Sequence, residues 1–364
     1  MEFIDLKSQQ ARIREALDER IAGVLEHGRY ILGPEVGELE GRLAAYVGVR
    51  HCLGVSSGTD ALLIAMMALG IGRGDEVITV PYTWISTAEM VVLLGATPVF
   101  VDIDERTWNM DASRLESAIT EKTKAIMPVG IYGQCADMTA INEIAERNGG
   151  IPVIEDAAQC FGATHQGKRS CGLSTIGSTS FFPSKPLGGY GDGGALFTED
   201  DDLAQAMRRI RNHGQAAGHD HSVLGLNGRL DTLQAAVVLA KLDIFDDEIA
   251  SREEVAKCYS EEIGLLAGEI ETPFVGEGNT SVYAQYTILS EDRDSLRETL
   301  AKEDIPAVSY YAVPLHLQPV FASLGYGVGD FPVTESVASL CLSLPMSPYL
   351  SDEEIRRVCG ALAV

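Results

Sequence analysis

The sequence predicts an α/β fold, with a mostly parallel central sheet flanked by helices and followed by a smaller C-terminal α+β domain. The chain has 364 residues, 46% of them apolar, which is enough for a large domain and a small one. Strand and helix patterns alternate between residues 51 and 155. The pattern changes near residue 245, so we assign residues 1–244 to the large domain and 245–364 to the small one.

The N-terminal segment has helical periodicity. Apolar residues recur at helical spacing over residues 8–26, behind Ser8 as a start signal. Gly33 and Pro34 then open a second amphipathic helix, because proline suits the first helical position. We expect both helices to be packing elements.

Strands and helices alternate after residue 50. The expected strands cover 51–55, 76–80, 98–102, 124–129 and 152–155, and the helices between them cover about 59–69, 84–94 and 137–148. Such alternation is typical of a parallel sheet that binds ligands at the carboxyl ends of its strands. An Arg-rich helix and a long apolar-faced helix follow residue 200, and a strand at 281–289 and a helix near 292–303 belong to the small domain.

Lys185 lies between a short aromatic strand and a glycine-rich turn. Pro186 disfavours helical geometry at the lysine, and five glycines within the next nine residues leave space for a flat ligand. A buried lysine beside a cofactor is the usual means of forming a Schiff base, because desolvation lowers the pKa of the ammonium group. This pattern indicates pyridoxal phosphate.

That cofactor also needs an acid for its ring nitrogen and an anion site for its phosphate. Asp156 follows an apolar strand and precedes Lys185 by 29 residues, and Gln159 lies close behind it. The first strand ends at Ser57, Gly58 and Thr59 and leads into a helix, which outlines an anion site. Taken alone, the residues at 57–59 are explained equally well by an ordinary helix cap, and Asp156 is explained by a solvated or capping aspartate.

Composition excludes several other functions. The net charge of −25 disfavours nucleic acid as a partner, and no apolar run reaches the roughly 18 residues of a membrane helix. The N-terminus lacks the basic and apolar regions of a signal peptide, so we expect a soluble cytoplasmic protein. Seven cysteines without a CxxC pair favour reduced thiols, and we expect no metal site.

Several motifs together resemble one family over nearly the whole chain, the DegT/DnrJ/EryC1/StrS sugar aminotransferases. These enzymes are fold-type I proteins that depend on pyridoxal phosphate. The resemblance is carried by residues 58–62, 74–78, 132–134, 155–159, 180–185, 211–214 and 229–236.

The resemblance implies roles for individual residues. Lys185 would link covalently to pyridoxal 5'-phosphate, with pyridoxamine phosphate as the alternate form, and Asp156 would pair with the ring nitrogen. Gln159 would contact the phenolic oxygen, and Trp84 would cover the ring face. The phosphate would be held by Gly58, Thr59, Ser180 and, from the second subunit of a homodimer with shared active sites, Asn227. The sugar nucleotide would be contacted by Arg229, Tyr310, Tyr311 and His316.

The substrate is narrowed by further motifs. Residues 3–7, 30–36 and 281–287 resemble those of aminotransferases acting on UDP-2-acetamido-2-deoxy-3-oxo-glucuronate, with L-glutamate as donor, in the synthesis of O-antigen-type surface polysaccharide precursors. Those enzymes carry a histidine in the run aligned with 309–311. Here Tyr310 and Tyr311 stand in that run, as in some dTDP-3-keto-6-deoxyhexose aminotransferases, which remain an alternative. A sugar dehydratase, a regulatory homologue and a plain nucleotide-binding protein are further alternatives, and the presence of Lys185 favours transamination over them.

Overall fold

A computed structural model describes residues 1–217, 220–266 and 269–363 of the chain. The α-helices are α1 Leu6–Arg12, α2 Arg14–His27, α3 Pro34–Val47, α4 Gly58–Ala68, α5 Ser86–Leu93, α6 Ala112–Ala118, α7 Met138–Arg147, α8 Asp201–Arg211, α9 Thr232–Leu242, α10 Phe245–Ile263, α11 Arg293–Lys302, α12 Pro332–Leu340 and α13 Asp352–Leu362. The strands are β1 His51–Val55, β2 Glu76–Thr79, β3 Thr97–Phe100, β4 Thr123–Ile126, β5 Ile154–Asp156, β6 Thr164–His165, β7 Lys168–Arg169, β8 Ile176–Ser180, β9 Gly194–Thr198, β10 Gln215–Ala217, β11 Asp220–His221, β12 Tyr286–Leu289 and β13 Cys341–Leu344.

The central sheet confirms the predicted α/β class. Strands β3, β2 and β4 pair in parallel, as do β5 and β8, while β9 pairs antiparallel with both β8 and β1. Parallel bridges from Ile126 to Val153 and from Val129 to Asp156 join β4 to β5. The resulting order is β3-β2-β4-β5-β8-β9-β1, in which β9 alone runs against its neighbours. The connection from β8 to β9 covers residues 181–193 and contains no helix, because antiparallel strands need no crossover helix.

The N-terminal helices differ in detail from the prediction. The segment predicted as one helix behind Ser8 is broken at Ile13 and begins earlier, because Asp5 is the cap and accepts a hydrogen bond from the backbone N–H of Ser8. The second helix starts with Pro34 at its first position, as predicted. Its preceding residue, Gly33, donates its N–H to the hydroxyl of Thr232 on α9.

The C-terminal third has a core of its own. Helices α10, α11 and α13 pack around β12 and β13, with Tyr259, Tyr286 and Leu342 fully buried. The N-terminal end of α10 lies elsewhere, since the ring of Phe245 is part of the core beneath the central sheet. Residues 315–331 also pack toward the large sheet, where Phe321 contacts the side of β3. The proposed division at residue 244 therefore falls where α10 begins, and it stays a prediction.

Within the described residues, every helix is too short or too polar to cross a lipid bilayer.

Candidate active site

A cavity of about 310 Å³ opens at the carboxyl edge of the central sheet. The ends of β1, β5 and β8 supply its floor, and residues from the C-terminal part of the chain close one side. Most of the predicted site residues lie in this cavity, namely Gly58, Thr59, Trp84, Asp156, Gln159, Ser180, Lys185, Tyr310 and Tyr311. A larger groove of about 820 Å³, lined by Asp104, Arg106, His165 and Phe274 among others, contains none of them.

Lys185 lies in the connection between β8 and β9. Its backbone N–H donates to the carbonyl of Phe182 at 2.8 Å, which holds the lysine in a tight turn. The side chain is half-buried in the cavity. Burial lowers the pKa of the Lys185 amine, and the nearby Asp156 carboxylate opposes that shift. The neutral, nucleophilic form of this amine is therefore more populated near neutral pH than that of a surface lysine.

The glycine-rich turn packs mainly against protein, which corrects the expectation that its glycines leave space for a ligand. A Cβ at Gly188 would lie 2.5 Å from the carbonyl oxygen of Pro183, and one at Gly189 would lie 2.8 Å from Oε1 of Gln234. Gln234 also accepts the N–H of Tyr190 at 2.8 Å. The turn therefore needs glycine so that it can pack closely against α9, and among its glycines Gly193 lines the Lys185 cavity.

Asp156 ends β5 and is buried, with 5% of its surface exposed. Its Oδ2 accepts the hydroxyl of Thr87 at 3.0 Å, and its Oδ1 accepts the N–H of Ala158 at 3.2 Å. Burial raises the pKa of the Asp156 carboxyl, whereas these two hydrogen bonds and the charge of Lys185 oppose the shift. Asp156 is thus a fixed carboxyl group whose charge depends on its few polar neighbours.

One end of the cavity is formed by the N-terminus of α4. Ser57 caps this helix by accepting the N–H of Asp60 at 3.0 Å, and it also lines the cavity, so capping and ligand binding are compatible here. Gly58 begins the helix beside Ser180, and a Cβ at Gly58 would lie 2.7 Å from the Cβ of Ser180. The N-terminus of α4 and the hydroxyl-bearing residues Ser57, Thr59 and Ser180 therefore line the same end of the cavity, an arrangement that suits an anion.

Gln159 connects the two sides of the cavity. Its Oε1 accepts the backbone N–H of Tyr132 at 2.9 Å, and its Nε2 donates to the hydroxyl of Tyr311 at 2.6 Å. The first contact fixes the orientation of the amide, so the Tyr311 hydroxyl is an acceptor from Gln159 and keeps its own proton for another partner. Trp84 stands at the mouth with 61% of its surface exposed.

Asn227 and Arg229 lie outside the Lys185 cavity. They line a second cavity of about 390 Å³, together with Ile31, Ser56 and Gln234, and this cavity shares Asp192 with the first. The segment carrying them runs beside β1, since the N–H of Ser56 donates to the carbonyl of Gly228. Arg229 donates from Nη1 to Oδ1 of Asn212 at 2.6 Å.

His316 is not brought to the cavity, which corrects its prediction as a substrate contact. Its side chain is fully buried, its Nε2 is hydrogen-bonded to Glu335 at 3.1 Å, and its ring packs against Phe331. The cause is the aromatic cluster around residues 315–331, which encloses the ring.

Sequence reasoning missed Thr87, which lies beside the cavity, and Gln285, which lines it. Thr87 contacts Asp156, but only the helical spacing from Thr83 hints at a shared face. Gln285 lines the cavity from the segment before β12 and is 8% exposed. It lies within the 281–287 motif, so that motif was a usable signal.

A cluster of metal-ligating side chain types lies behind the cavity. A carboxylate oxygen of Glu155 and the sulfur atoms of Cys135 and Cys160 are within 4.8 Å of one another. All three residues are buried, and burial raises the pKa of Glu155 to about 7. The expected absence of metal stays a prediction.

Comparisons with known proteins give a consistent result. A model of the DegT/DnrJ/EryC1/StrS aminotransferase family matches residues 11–363. A UDP-2-acetamido-2-deoxy-3-oxo-D-glucuronate aminotransferase from Pseudomonas aeruginosa is 55% identical over 362 residues, covering 100% of this chain and 99% of its own. A pleiotropic regulatory protein from Geobacillus stearothermophilus is 45% identical (99% and 97% covered), and a dTDP-3-amino-3,4,6-trideoxy-alpha-D-glucose transaminase from Streptomyces venezuelae is 41% identical (99% and 94% covered).

Solved structures resemble this one closely. An aminotransferase from Brucella abortus superposes with a TM-score of 0.96 at 44% identity, covering 100% of this chain and 98% of that one. The pyridoxal-phosphate form of a putative sugar aminotransferase from Streptococcus pneumoniae has a TM-score of 0.90 at 26% identity, with 96% and 95% covered.

Proposed function

Because the chain belongs to the DegT/DnrJ/EryC1/StrS family of pyridoxal-phosphate-dependent sugar aminotransferases, we propose that it transfers the amino group of L-glutamate to the C3 keto group of UDP-2-acetamido-2-deoxy-3-oxo-D-glucuronate. The product would enter surface polysaccharide synthesis. The main support for this substrate is the 55% identity, over 362 residues, to an enzyme named as an aminotransferase of the same sugar nucleotide.

The residues of the cavity suit pyridoxal phosphate. Lys185 offers an amine with a lowered pKa, and Asp156 offers a buried carboxyl group for the ring nitrogen. The N-terminus of α4, with Thr59 and Ser180, offers donors for a phosphate. The volume of about 310 Å³ is within the range of small-ligand pockets. We propose that Trp84 covers the face of the cofactor ring and that Gln159 contacts the phenolic oxygen of the cofactor.

The chemistry of the chain's own residues follows from this placement. When bound, the cofactor supplies an electron sink and carries nitrogen between donor and acceptor. Lys185 would attach the cofactor and, once its amine is free, would be the group that moves the proton of the substrate carbon. Asp156 would hold the proton on the ring nitrogen, and its burial would strengthen that charge interaction because little water would screen it. A positioned group of this kind contributes about 10²-fold or more to the rate.

We also propose that two subunits share each active site. Among the described residues, Asp192 alone lines both the Lys185 cavity and the cavity of Asn227 and Arg229, so these two residues face a different side from their own lysine. Tyr30, Ile31 and Leu32 are exposed apolar residues beside this second cavity, as expected of a surface that a second copy covers. Asn227 would then reach the phosphate of the partner's cofactor.

A dTDP-3-keto-6-deoxyhexose aminotransferase is the second candidate. It is supported by Tyr310 and Tyr311 in the cavity and by the 41% identity to the Streptomyces venezuelae transaminase.

A substrate panel tests the proposal. Purified protein is supplied with pyridoxal phosphate, glutamate and either the UDP-linked 3-oxo-glucuronate or a dTDP-linked 3-keto-6-deoxyhexose, and 2-oxoglutarate formation is followed. We expect a higher kcat/KM for the glucuronate. A preference for the 6-deoxy sugar would overturn this substrate, and a protein that binds the cofactor without transferring nitrogen to any keto sugar would favour the regulatory or dehydratase alternatives.

A further inference from the structure

Thr87 is a buried residue beside the cavity that the predicted site residues do not include. It lies in the first turn of α5 with none of its surface exposed, and its hydroxyl donates to Oδ2 of Asp156 at 3.0 Å. The hydroxyl of Thr83, which does line the cavity, is 3.3 Å from that of Thr87. The three groups therefore form a short chain that runs from the cavity wall to the carboxylate.

The donors and acceptors in this series of hydrogen bonds follow from the single proton that each hydroxyl carries. A carboxylate only accepts hydrogen bonds, so the single hydroxyl proton of Thr87 is directed at Asp156. Thr83 must then donate to the oxygen of Thr87. Because the N–H of Ala158 occupies the other oxygen of Asp156, the carboxylate is held at both ends and cannot rotate freely.

This arrangement opposes the effect of burial. A carboxyl group with 5% exposure favours its neutral form, and a neutral acid does not stabilise a protonated pyridine ring as an anion would. A hydrogen bond from a neutral hydroxyl to a charged acceptor favours the charged form, by about ten- to a hundredfold in the ionisation equilibrium. Thr87 is the side chain that supplies such a bond to Asp156 among the described residues.

We propose that Thr87 is a positioning residue for the transamination reaction, which orients Asp156 and keeps it ionised opposite the cofactor ring, with Thr83 orienting the Thr87 hydroxyl. This inference rests on the proposed function, because it requires a cofactor whose ring nitrogen pairs with Asp156.

The test compares Thr87→Val, which removes the hydroxyl, with Thr87→Ser, which keeps it. Thr79→Val is a matched control, because Thr79 is equally buried and its hydroxyl donates to the carbonyl of Met127 at 2.8 Å, away from Asp156. Each variant is purified with pyridoxal phosphate, and the absorbance of the bound cofactor is recorded from acid to alkaline pH. Dissociation of the cofactor, kcat and KM are measured in parallel.

We expect Thr87→Val to lower kcat by about ten- to a hundredfold and to change KM for the sugar by less than about threefold. We also expect the spectral change that reports deprotonation of the ring nitrogen to have its midpoint at a lower pH than in the wild type. The downward shift follows because the ring nitrogen loses its proton more readily beside a neutral acid. Thr87→Ser should return kcat to within about threefold of wild type, and Thr79→Val should leave the spectrum unchanged.

The opposite results overturn the inference. A Thr87→Val enzyme with the wild-type spectrum and kcat would make Thr87 a packing residue, as would a Thr87→Ser enzyme as impaired as Thr87→Val. If Thr87→Val does not fold, Thr83→Val gives the same reading with a smaller expected loss of about two- to fivefold in kcat, and no loss there would contradict the chain of hydroxyls. Failure of the wild-type protein to bind pyridoxal phosphate would instead refute the proposed function.

Discussion

Replacement of Gly58 by alanine should weaken both the fold and the cofactor site. The added Cβ would lie 2.7 Å from the Cβ of Ser180 and 3.2 Å from its Cα, whereas carbon atoms pack best at about 3.5–4.0 Å. Ser180 ends β8, where it is paired with Gly194 of β9, and a Cβ at Gly194 would itself lie 2.7 Å from the backbone of Ser57. The backbone of three segments therefore meets here, and a rotamer change cannot relieve the contact.

The expected magnitude follows from two opposing effects. Overpacking of this kind costs about 1–3 kcal/mol, and the gain from replacing a helical glycine is at most about 1 kcal/mol. Because the 2.7 Å contact involves atoms that no rotamer change can move, we take the upper part of that range, about 2–3 kcal/mol, and expect a net loss of at least about 1 kcal/mol in the free energy of unfolding. Because Gly58 also lines the cavity, movement of α4 away from Ser180 should separate the proposed phosphate donors and weaken pyridoxal phosphate binding by at least about tenfold, the equivalent of about 1.4 kcal/mol.

Gly37→Ala is the matched control. Gly37 lies in α3, it is exposed, and an added Cβ meets nothing within 4 Å, so this variant should be stabilised by about 0.5–1 kcal/mol. Thermal unfolding of the cofactor-free proteins and titration with pyridoxal phosphate measure the two effects separately. A Gly58→Ala protein with wild-type unfolding temperature and cofactor affinity would refute this prediction, because the contact between Gly58 and Ser180 would then accommodate a methyl group with no loss of stability.

Three further predictions concern the proposed roles. Lys185→Ala should abolish turnover while circular dichroism and unfolding temperature stay near those of wild type, because a half-buried loop side chain contributes little to the core; activity near wild type would contradict its assignment. Mixing equal amounts of Lys185→Ala and Asn227→Ala subunits should restore about a quarter of wild-type activity above the Asn227→Ala background, since about half of the dimers are mixed and each has one intact site; verified subunit exchange without recovery would argue against shared sites. Arg229→Ala should lower kcat/KM for the 3-oxo-glucuronate substrate by an amount equivalent to about 2–5 kcal/mol of transition-state stabilisation, because its guanidinium is proposed to bind the C6 carboxylate. The loss for a 6-deoxy sugar, which lacks that carboxylate, should be much smaller. Arg208→Ala, at an exposed position on α8, is its control, and equal losses for both sugars would make Arg229 structural or phosphate-directed.

The residues proposed to hold the cofactor could be located from the sequence because local signals mark them. Lys185 precedes a proline and a run of glycines, and Asp156 directly follows an apolar strand, so both could be located without knowledge of their neighbours. The start of α4 after Ser57 was also predictable, since strand and helix periodicities change there within a few residues. Alternation of such segments indicated an α/β sheet with its ligands at the carboxyl edge.

What only the tertiary structure decided depends on contacts between distant segments. The reversed direction of β9 and the packing of Gly189 against Gln234 both require the final order of strands and helices. The burial of His316 against Phe331 could not be inferred from a histidine in a proline-punctuated run, because burial depends on which aromatic residues the fold brings to it. Thr87 and Asp156 are 69 residues apart, and no periodicity or capping signal connects them. Local sequence determines which residues can do the chemistry because backbone preferences act over a few residues, whereas long-range packing determines which side chains control their charge and orientation.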